Sequence, residues 1–449
     1  MFSPSGAGLA GVRSETLMRE FVQVEGRTLI LGDDELELDA IDRITVVGAG
    51  KAGAGMAATF EDILGDALLH EKQVRGFVNV PADCVRPLKR ITLHAARPAG
   101  VNEPTAEGVI GAETILKLVG ECGPRDLCVA LISGGGSALL PCPVPQITLA
   151  DKLAVTRFLS AAGADITELN TVRKHLSRIK GGGLARACRA GRLITLVLSD
   201  VLGDPLDLIG SGPTVPDTST AGDALAILEK HDAAAHGISA NVLDYLRREA
   251  RSPSLDRRTP PAEIHVIGNN ATAVDCAGIE AEKLGYSHAM ICANGPEGGV
   301  EAIGRRLAEL AVQMRDRKGP DCLIMGGEGT VKLAAADIRG RGGRNQQTVL
   351  AALLELVDDG AHGIALLSAG TDGEDGPTDA AGAWLDAEVV ARVKTLGLDP
   401  HDALRRNDAY LFFANTESLI LTGPTHTNVC DLRILVVSRV ELERRPTTL

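Results

Sequence analysis

Along the chain, short apolar runs rich in β-branched residues alternate with longer segments whose apolar positions recur every three or four residues. The first kind reads as buried strand, the second as amphipathic helix. Strand-like runs fall at 43–47, 74–80, 126–132 and 193–198, with helical segments at 52–64, 103–119, 149–161 and 166–176. The rhythm resumes with runs at 264–268, 289–292, 322–325, 363–368, 419–422 and 433–437. Helical segments follow it at 271–284, 298–317 and 345–356. This alternation predicts an α/β protein whose parallel sheets are covered by helices on both faces. The texture breaks at 250–262, Ala-Arg-Ser-Pro-Ser-Leu-Asp-Arg-Arg-Thr-Pro-Pro-Ala, which reads as a linker. Two α/β domains are therefore expected, 1–250 and 251–449, with the last strands free to pack back on the first.

Composition narrows this picture. At 449 residues the chain is long enough for two or three domains and a large core. Aromatic residues make up only 2%, so that core must be built from Ala, Val, Leu and Ile. The net charge is −13 with no basic tail or stripe, which argues against nucleic acid as a partner. A local basic pocket for a small anion remains compatible with an acidic chain. The nine cysteines are scattered singly, without a Cys-x-x-Cys pair, and read as free thiols in a reducing compartment. There is neither a long apolar run nor the charged and apolar regions of a signal peptide. A soluble, cytoplasmic protein with no membrane partner is expected.

Candidate chemistry lies in the glycine-rich turns, because α/β sheets hold ligands beyond the carboxyl ends of their strands. Gly48-Ala49-Gly50-Lys51-Ala52-Gly53 matches G-x-G-x-x-G between a strand and a helix. A lysine at a helix start opposes the helix dipole, so Lys51 asks for an anion. Ser133-Gly134-Gly135-Gly136-Ser137 follows a buried strand and can approach a ligand with its backbone. After Asn170, the residues Arg173, Lys174 and Lys180, the last opening a triple-glycine run, form the densest cation group. Asp200 ends a strand, and Gly210-Ser211-Gly212 is a small-residue turn after it. Further on, Glu328 lies in Gly326-Gly327-Glu328-Gly329-Thr330. Arg344 and Asn345 follow the glycines at 340–343, and a guanidinium there suits bidentate contact with phosphate or carboxylate.

The loop 370–382 crowds Asp372, Glu374, Asp375 and Asp379 after an apolar run. Such carboxylates repel one another unless a counter-charge neutralises them. Mg²⁺ carried by a nucleotide suits this demand, since it binds through one or two carboxylates plus phosphates. Anion loops, helix-start cations and an acidic loop together describe phosphoryl transfer, which needs positioning and charge neutralisation more than covalent catalysis.

The set of motifs resembles the MOFRL-type, or class II, glycerate kinase family over nearly the whole chain. The carrying segments are Gly48–Ala52, 133–140, 170–176, Ser199-Asp200-Val201 with 211–217, 340–346, 370–382 and Thr422-Gly-Pro-Thr-His-Thr-Asn-Val429. The resemblance implies an ATP- and Mg²⁺-dependent kinase that phosphorylates D-glycerate at its 2-hydroxyl. It implies a Rossmann-like N-terminal domain with a mainly parallel sheet, a second α/β domain and an active site in the cleft between them. The family's catalytic lysine and arginine fall on Lys51 and Arg344, and Asp200 is the candidate proton acceptor. Substrate and phosphate contacts are expected from Gly50, Ser133, Gly134, Gly135, Gly136, Ser137, Asn170, Arg173, Lys180, Ser211, Glu328 and Asn345. Metal contacts are expected from Asp372, Asp375 and Asp379. In the late motif His426 stands where the family pattern has glycine, and Cys430 where it has asparagine. An NAD(P)-dependent hydroxypyruvate reductase and a non-catalytic sugar-acid or nucleotide binding module remain as alternatives, and a homodimer is left open.

Overall fold

The computed structural model describes residues 3–101, 103–252 and 259–439. The chain forms two compact units, one of residues 14–267 and one of residues 1–13 with 268–449. No helix among the described residues is long and apolar enough to cross a membrane.

In the first unit, β1 (Val22–Glu25), β2 (Thr28–Leu31) and β3 (Asp34–Glu37) make a small antiparallel meander. Strands of four residues carry too few alternations to stand out in the sequence, which is why this sheet is a finding of the structure. The main sheet contains β4 (Ile44–Ala49), β5 (Arg75–Pro81), β6 (Ile91–Arg97), β7 (Leu127–Ser133), β8 (Arg192–Leu198) and β9 (Glu263–Gly268). Its order is β6-β5-β4-β7-β8-β9, and every pair from β6 through β8 is parallel. Counted from β4, this is the 3-2-1-4-5-6 order of a dinucleotide-binding fold, and the direction of winding reverses between β4 and β7. The expected Rossmann-like sheet is therefore present. Its central strands are buried along their whole length, as a sheet covered on both faces requires. Val47, Ala49, Ala130 and Ile132 pack there with Ile115 and Val119 from the helix Ala106–Gly120.

A separate apolar cluster joins the helices Leu149–Ala161, Ile166–His175, Ala221–Lys230 and Ala240–Arg251 through Leu159, Val172, Leu228 and Leu246. Thr148, Asp165 and Thr220 open the first three of these helices with reciprocal capping boxes.

The second unit holds β10 (His288–Cys292), β11 (Cys322–Gly327), β12 (Ile364–Gly370), β13 (Gly382–Leu385), β14 (Leu419–Ile420) and β15 (Asp431–Val437). Their order is β10-β11-β15-β12-β13-β14. Only β10 and β11 pair in parallel; β15 runs antiparallel to both β11 and β12, and β13 antiparallel to β12 and β14.

Three expectations change. The second sheet is mixed rather than parallel, because the acidic loop turns β12 directly back into β13 without a helical crossover. The last strands belong to the second sheet: β15 is an inner strand of it, with Leu435 between Leu323 and Leu366. The division falls at 267/268 rather than 250/251, since β9 adds to the first sheet as its edge beside β8. The expected linker at 250–262 lies partly outside the described residues, at 253–258. Residues 1–13 belong with the second unit: the helix Ser3–Gly11 packs on the helix Asn270–Lys283, and Thr427 Oγ1 donates to the Val12 carbonyl at 2.8 Å.

Candidate active site

At the winding reversal of the first sheet, the loops after β4 and β7 interlock. The Lys51 N–H donates to the Gly134 carbonyl at 2.9 Å, and the Ala52 N–H to Ser133 Oγ at 3.1 Å. Gly50 has φ +149°, and a Cβ there would stand 1.9 Å from Ser133 Oγ, so only glycine lets the two turns meet. Lys51 runs beside Gly135, its Cγ 3.7 Å from where a Gly135 Cβ would lie. The same point is 3.3 Å from an Arg97 guanidinium nitrogen, and a Cβ on Gly134 would be 2.5 Å from Asp200 Oδ2. Lys51, Arg97 and Asp200 thus converge on one glycine turn. Ser133 is buried and serves to join the two loops.

Behind this turn lies a cavity of about 590 Å³ whose lining includes Gly135, Ser137, Lys152, Asn170, Arg173, Lys180, Asp200 and Gly210. Lys180 is buried, and its Nζ donates to Ser137 O at 2.8 Å, Ser137 Oγ at 2.7 Å and Ser211 Oγ at 3.2 Å. Ser211 Oγ in turn donates to Asn170 Oδ1 at 3.0 Å. This network holds Ser211 at φ +64°, a strained value for a residue with a side chain. Lys152 is also buried and donates to the Leu176 carbonyl at 3.1 Å.

Burial pushes Lys152 down to about 7. Burial, with the nearby Lys152 and Arg173 charges, holds Lys180 well below the usual lysine value, and burial lowers Arg173. Lys174, which the sequence groups with these cations, is instead paired with Asp207 at 3.0 Å and Asp217 at 3.8 Å.

In the second unit, Arg344 begins the helix Arg344–Leu356 and is held by carboxylates on other elements. Its Nε and Nη2 donate to Asp431 at 2.8 and 2.9 Å, and its Nη1 to Glu328 at 2.7 Å. Burial opposes the charge, but Asp431 and Glu328 outweigh it and raise the guanidinium above its ordinary value. Asn345 Nδ2 also donates to Asp431 at 3.0 Å, and Asn345 Oδ1 accepts from Ser368 at 2.5 Å. Arg433, fully buried, donates to both oxygens of Glu297 at 2.9 and 2.8 Å. A cavity of about 710 Å³ is lined by Gly340, Gly343, Arg344, Asp372, Glu374 and Asp375 among others.

Asp372 and Asp375 line the same cavity, but among the described residues the three aspartates expected to bind metal form no three-ligand cluster. Asp375 is buried and accepts the Asn345 N–H at 3.0 Å and the Gln346 N–H at 2.8 Å, capping the helix from outside it. Burial outweighs these donors and pushes its carboxyl up to about 7. Asp379 is exposed and accepts from the Tyr410 hydroxyl at 2.7 Å. Asp372 is half-buried, and the Glu328 carboxyl is raised by burial and, more weakly, by the Asp431 and Asp372 charges, against the opposing pull of Arg344.

Comparisons with known proteins bear on the family and the fold. Residues 5–247 match the family described as "Domain of unknown function (DUF4147)", and residues 321–431 match the MOFRL family. A glycerate kinase of Danio rerio is 35% identical, the alignment covering 96% of each chain. The chain belongs to the MOFRL-type glycerate kinase family. A D-glycerate 2-kinase of Thermotoga maritima is 38% identical, with 88% of this chain and 90% of that one covered. The crystal structure of a Thermotoga maritima glycerate kinase superposes with a TM-score of 0.81 at 33% identity, over 97% of this chain and 98% of the other. A protein of Agrobacterium vitis named putative hydroxypyruvate reductase is 40% identical over 88% of this chain and 87% of its own.

Within this glycerate kinase family member, several site residues escaped the sequence reading. Lys152 sits in the first turn of a helix and Arg97 at a strand end, neither beside a glycine run. Asp431 opens β15 just after the motif that ends at Val429, yet only the fold shows that it faces Arg344. Glu297 has no local signal at all; its partner Arg433 is charged within an apolar strand, which was the available clue.

Proposed function

We propose that the protein is an ATP-dependent glycerate kinase that transfers the γ-phosphoryl group to the 2-hydroxyl of D-glycerate. The observation that carries this reading is the interlocked pair of glycine turns at the carboxyl ends of β4 and β7, with Lys51 lying along them. A loose phosphoryl-transfer transition state carries its charge on the equatorial oxygens, and a fixed ammonium answers that charge directly. The substrate oxygen forms the new O–P bond as the bond to ADP breaks. Asp200, held close to Gly134, is the carboxylate assigned to take the hydroxyl proton.

Arg344 is proposed as a second anion contact, its orientation fixed by Asp431. Mg²⁺ fits Asp372 best of the loop's aspartates, because Asp375 is buried as a helix cap and Asp379 is bound to the Tyr410 hydroxyl. When bound, it would neutralise phosphate oxygens.

The reductase reading draws on the same G-x-G-x-x-G turn and on names carried by some relatives. Lys51 inside that turn speaks against it. One coupled assay separates the readings. Glycerate-dependent ADP release with 2-phosphoglycerate as product supports the kinase, and NAD(P)H oxidation with hydroxypyruvate supports the reductase. Lys51→Ala should lower kcat by at least ~100-fold, the scale of losing one transition-state charge contact, with an unchanged melting temperature. Near-normal turnover would remove Lys51 from the mechanism.

A further inference from the structure

We propose that Lys152, Arg173 and Lys180 form a receptor for a polyphosphate, the phosphate chain of the nucleotide, with Lys152 as a direct ligand. The naming of a nucleotide rests on the kinase reading; the preference for a polyanion does not. All three side chains line the same cavity. Lys180 is 2% exposed and Lys152 8% exposed. Every hydrogen bond shown for their ammonium groups goes to a neutral oxygen: Leu176 O for Lys152, Ser137 and Ser211 for Lys180. Among the described residues, neither a hydrogen bond nor an ion pair engages Arg173.

Buried cations without carboxylates cost folding free energy, and the buried Lys152 and Lys180 beside the half-buried Arg173 are retained only if something else repays that cost. An incoming anion does so. The other charged side chains of the lining are Asp200 and the exposed pair Glu103–Arg157, joined at 2.7 Å. The lining thus carries an excess of two positive charges when all its groups are ionised. A single carboxylate would leave part of that excess standing; a di- or triphosphate would not. Size points the same way. About 590 Å³ falls within the ~300–1,000 Å³ typical of sites for drug-sized ligands, and a three-carbon acid would leave most of it empty. Ser137 and Asn170 at the wall add hydrogen-bonding groups, and Gly135 and Gly210 leave room for close backbone approach.

The position of Lys152 gives a test that a structural role cannot imitate. Removing a ligand-binding but otherwise unpaired buried charge stabilises the empty protein while weakening the ligand. Binding is measured on the full chain by calorimetry with tripolyphosphate, ADP and D-glycerate separately, beside thermal unfolding without ligand. Lys152→Met is expected to raise the melting temperature of the ligand-free protein. It should weaken tripolyphosphate and ADP roughly 10- to 100-fold, the range for losing a hydrogen bond to a charged group, and leave D-glycerate affinity unchanged. Arg173→Gln, which loses no intramolecular partner, should weaken tripolyphosphate without lowering stability.

A lower melting temperature with unchanged tripolyphosphate affinity would make Lys152 a structural residue and overturn the proposal. Loss of D-glycerate binding with intact tripolyphosphate binding would overturn it in favour of a carboxylate pocket. Wild-type protein without glycerate-dependent turnover, but with tripolyphosphate binding that needs Lys152, would sink the kinase reading and leave the receptor standing.

Discussion

Asp375 shows how one side chain changes meaning between sequence and fold. Within its loop it is one of four crowded acids. In three dimensions it supplies the cap that Gly343 cannot give to the helix Arg344–Leu356. Its carboxyl is carried to about 7, far above the ~3.9 of an unfolded aspartate. Between these values the native state holds a proton that the unfolded state lacks. The group's contribution to stability is therefore fully present at the acid end and lost as pH rises through 7. Urea denaturation from pH 5 to 8 should show wild type losing stability relative to Asp375→Asn across that window. A constant difference between the two would contradict the assignment. Lys51 and Arg344 were legible because glycine turns mark them. Asp375 was legible only as an acid, because its partners lie some thirty residues away and nothing local announces a cap made in trans.

At the scale of elements, β15 organises the second unit. It sits between β11 and β12, starts with Asp431 beneath Arg344, and carries Arg433 into the interior. An apolar run at 433–437 was readable as a strand, but its central place was not. Antiparallel insertion of a late strand depends on pairing partners roughly sixty to a hundred and ten residues apart, which hydrophobic periodicity does not encode. The buried Arg433 depends on Glu297, with Asp431 only a distant second partner at 4.0 Å. Glu297→Ala should therefore cost ~3–5 kcal/mol, the range for stranding one member of a buried pair, read as a lower denaturant midpoint. A loss below ~1 kcal/mol would mean that solvent or Asp431 already satisfies the guanidinium. Cys430 joins this strand at φ +67°, so the departure from asparagine noted in the sequence falls on a backbone conformation that asparagine tolerates better.

At the scale of the whole molecule, the units do not follow the order of the chain. The α/β class, the first sheet and its ligand-bearing turns were legible because strand–turn–helix units are local. Membership of residues 1–13 was not, since a short helix of small residues carries almost no periodic signal. That helix lies on Asn270–Lys283, and Thr427 reaches back to Val12 through the hydroxyl of a fully buried threonine. Deleting residues 1–12 uncovers the apolar face of the longer helix and leaves the Thr427 hydroxyl to find another acceptor. The loss should fall on the unit 268–449, not on the unit of residues 14–267 that follows it in sequence. Hydrogen exchange locates the effect: protection should drop in β15 and in the helix Asn270–Lys283, while β4 and β7 keep theirs. If β4 and β7 lost protection and β15 did not, the N-terminal helix would belong to the first unit.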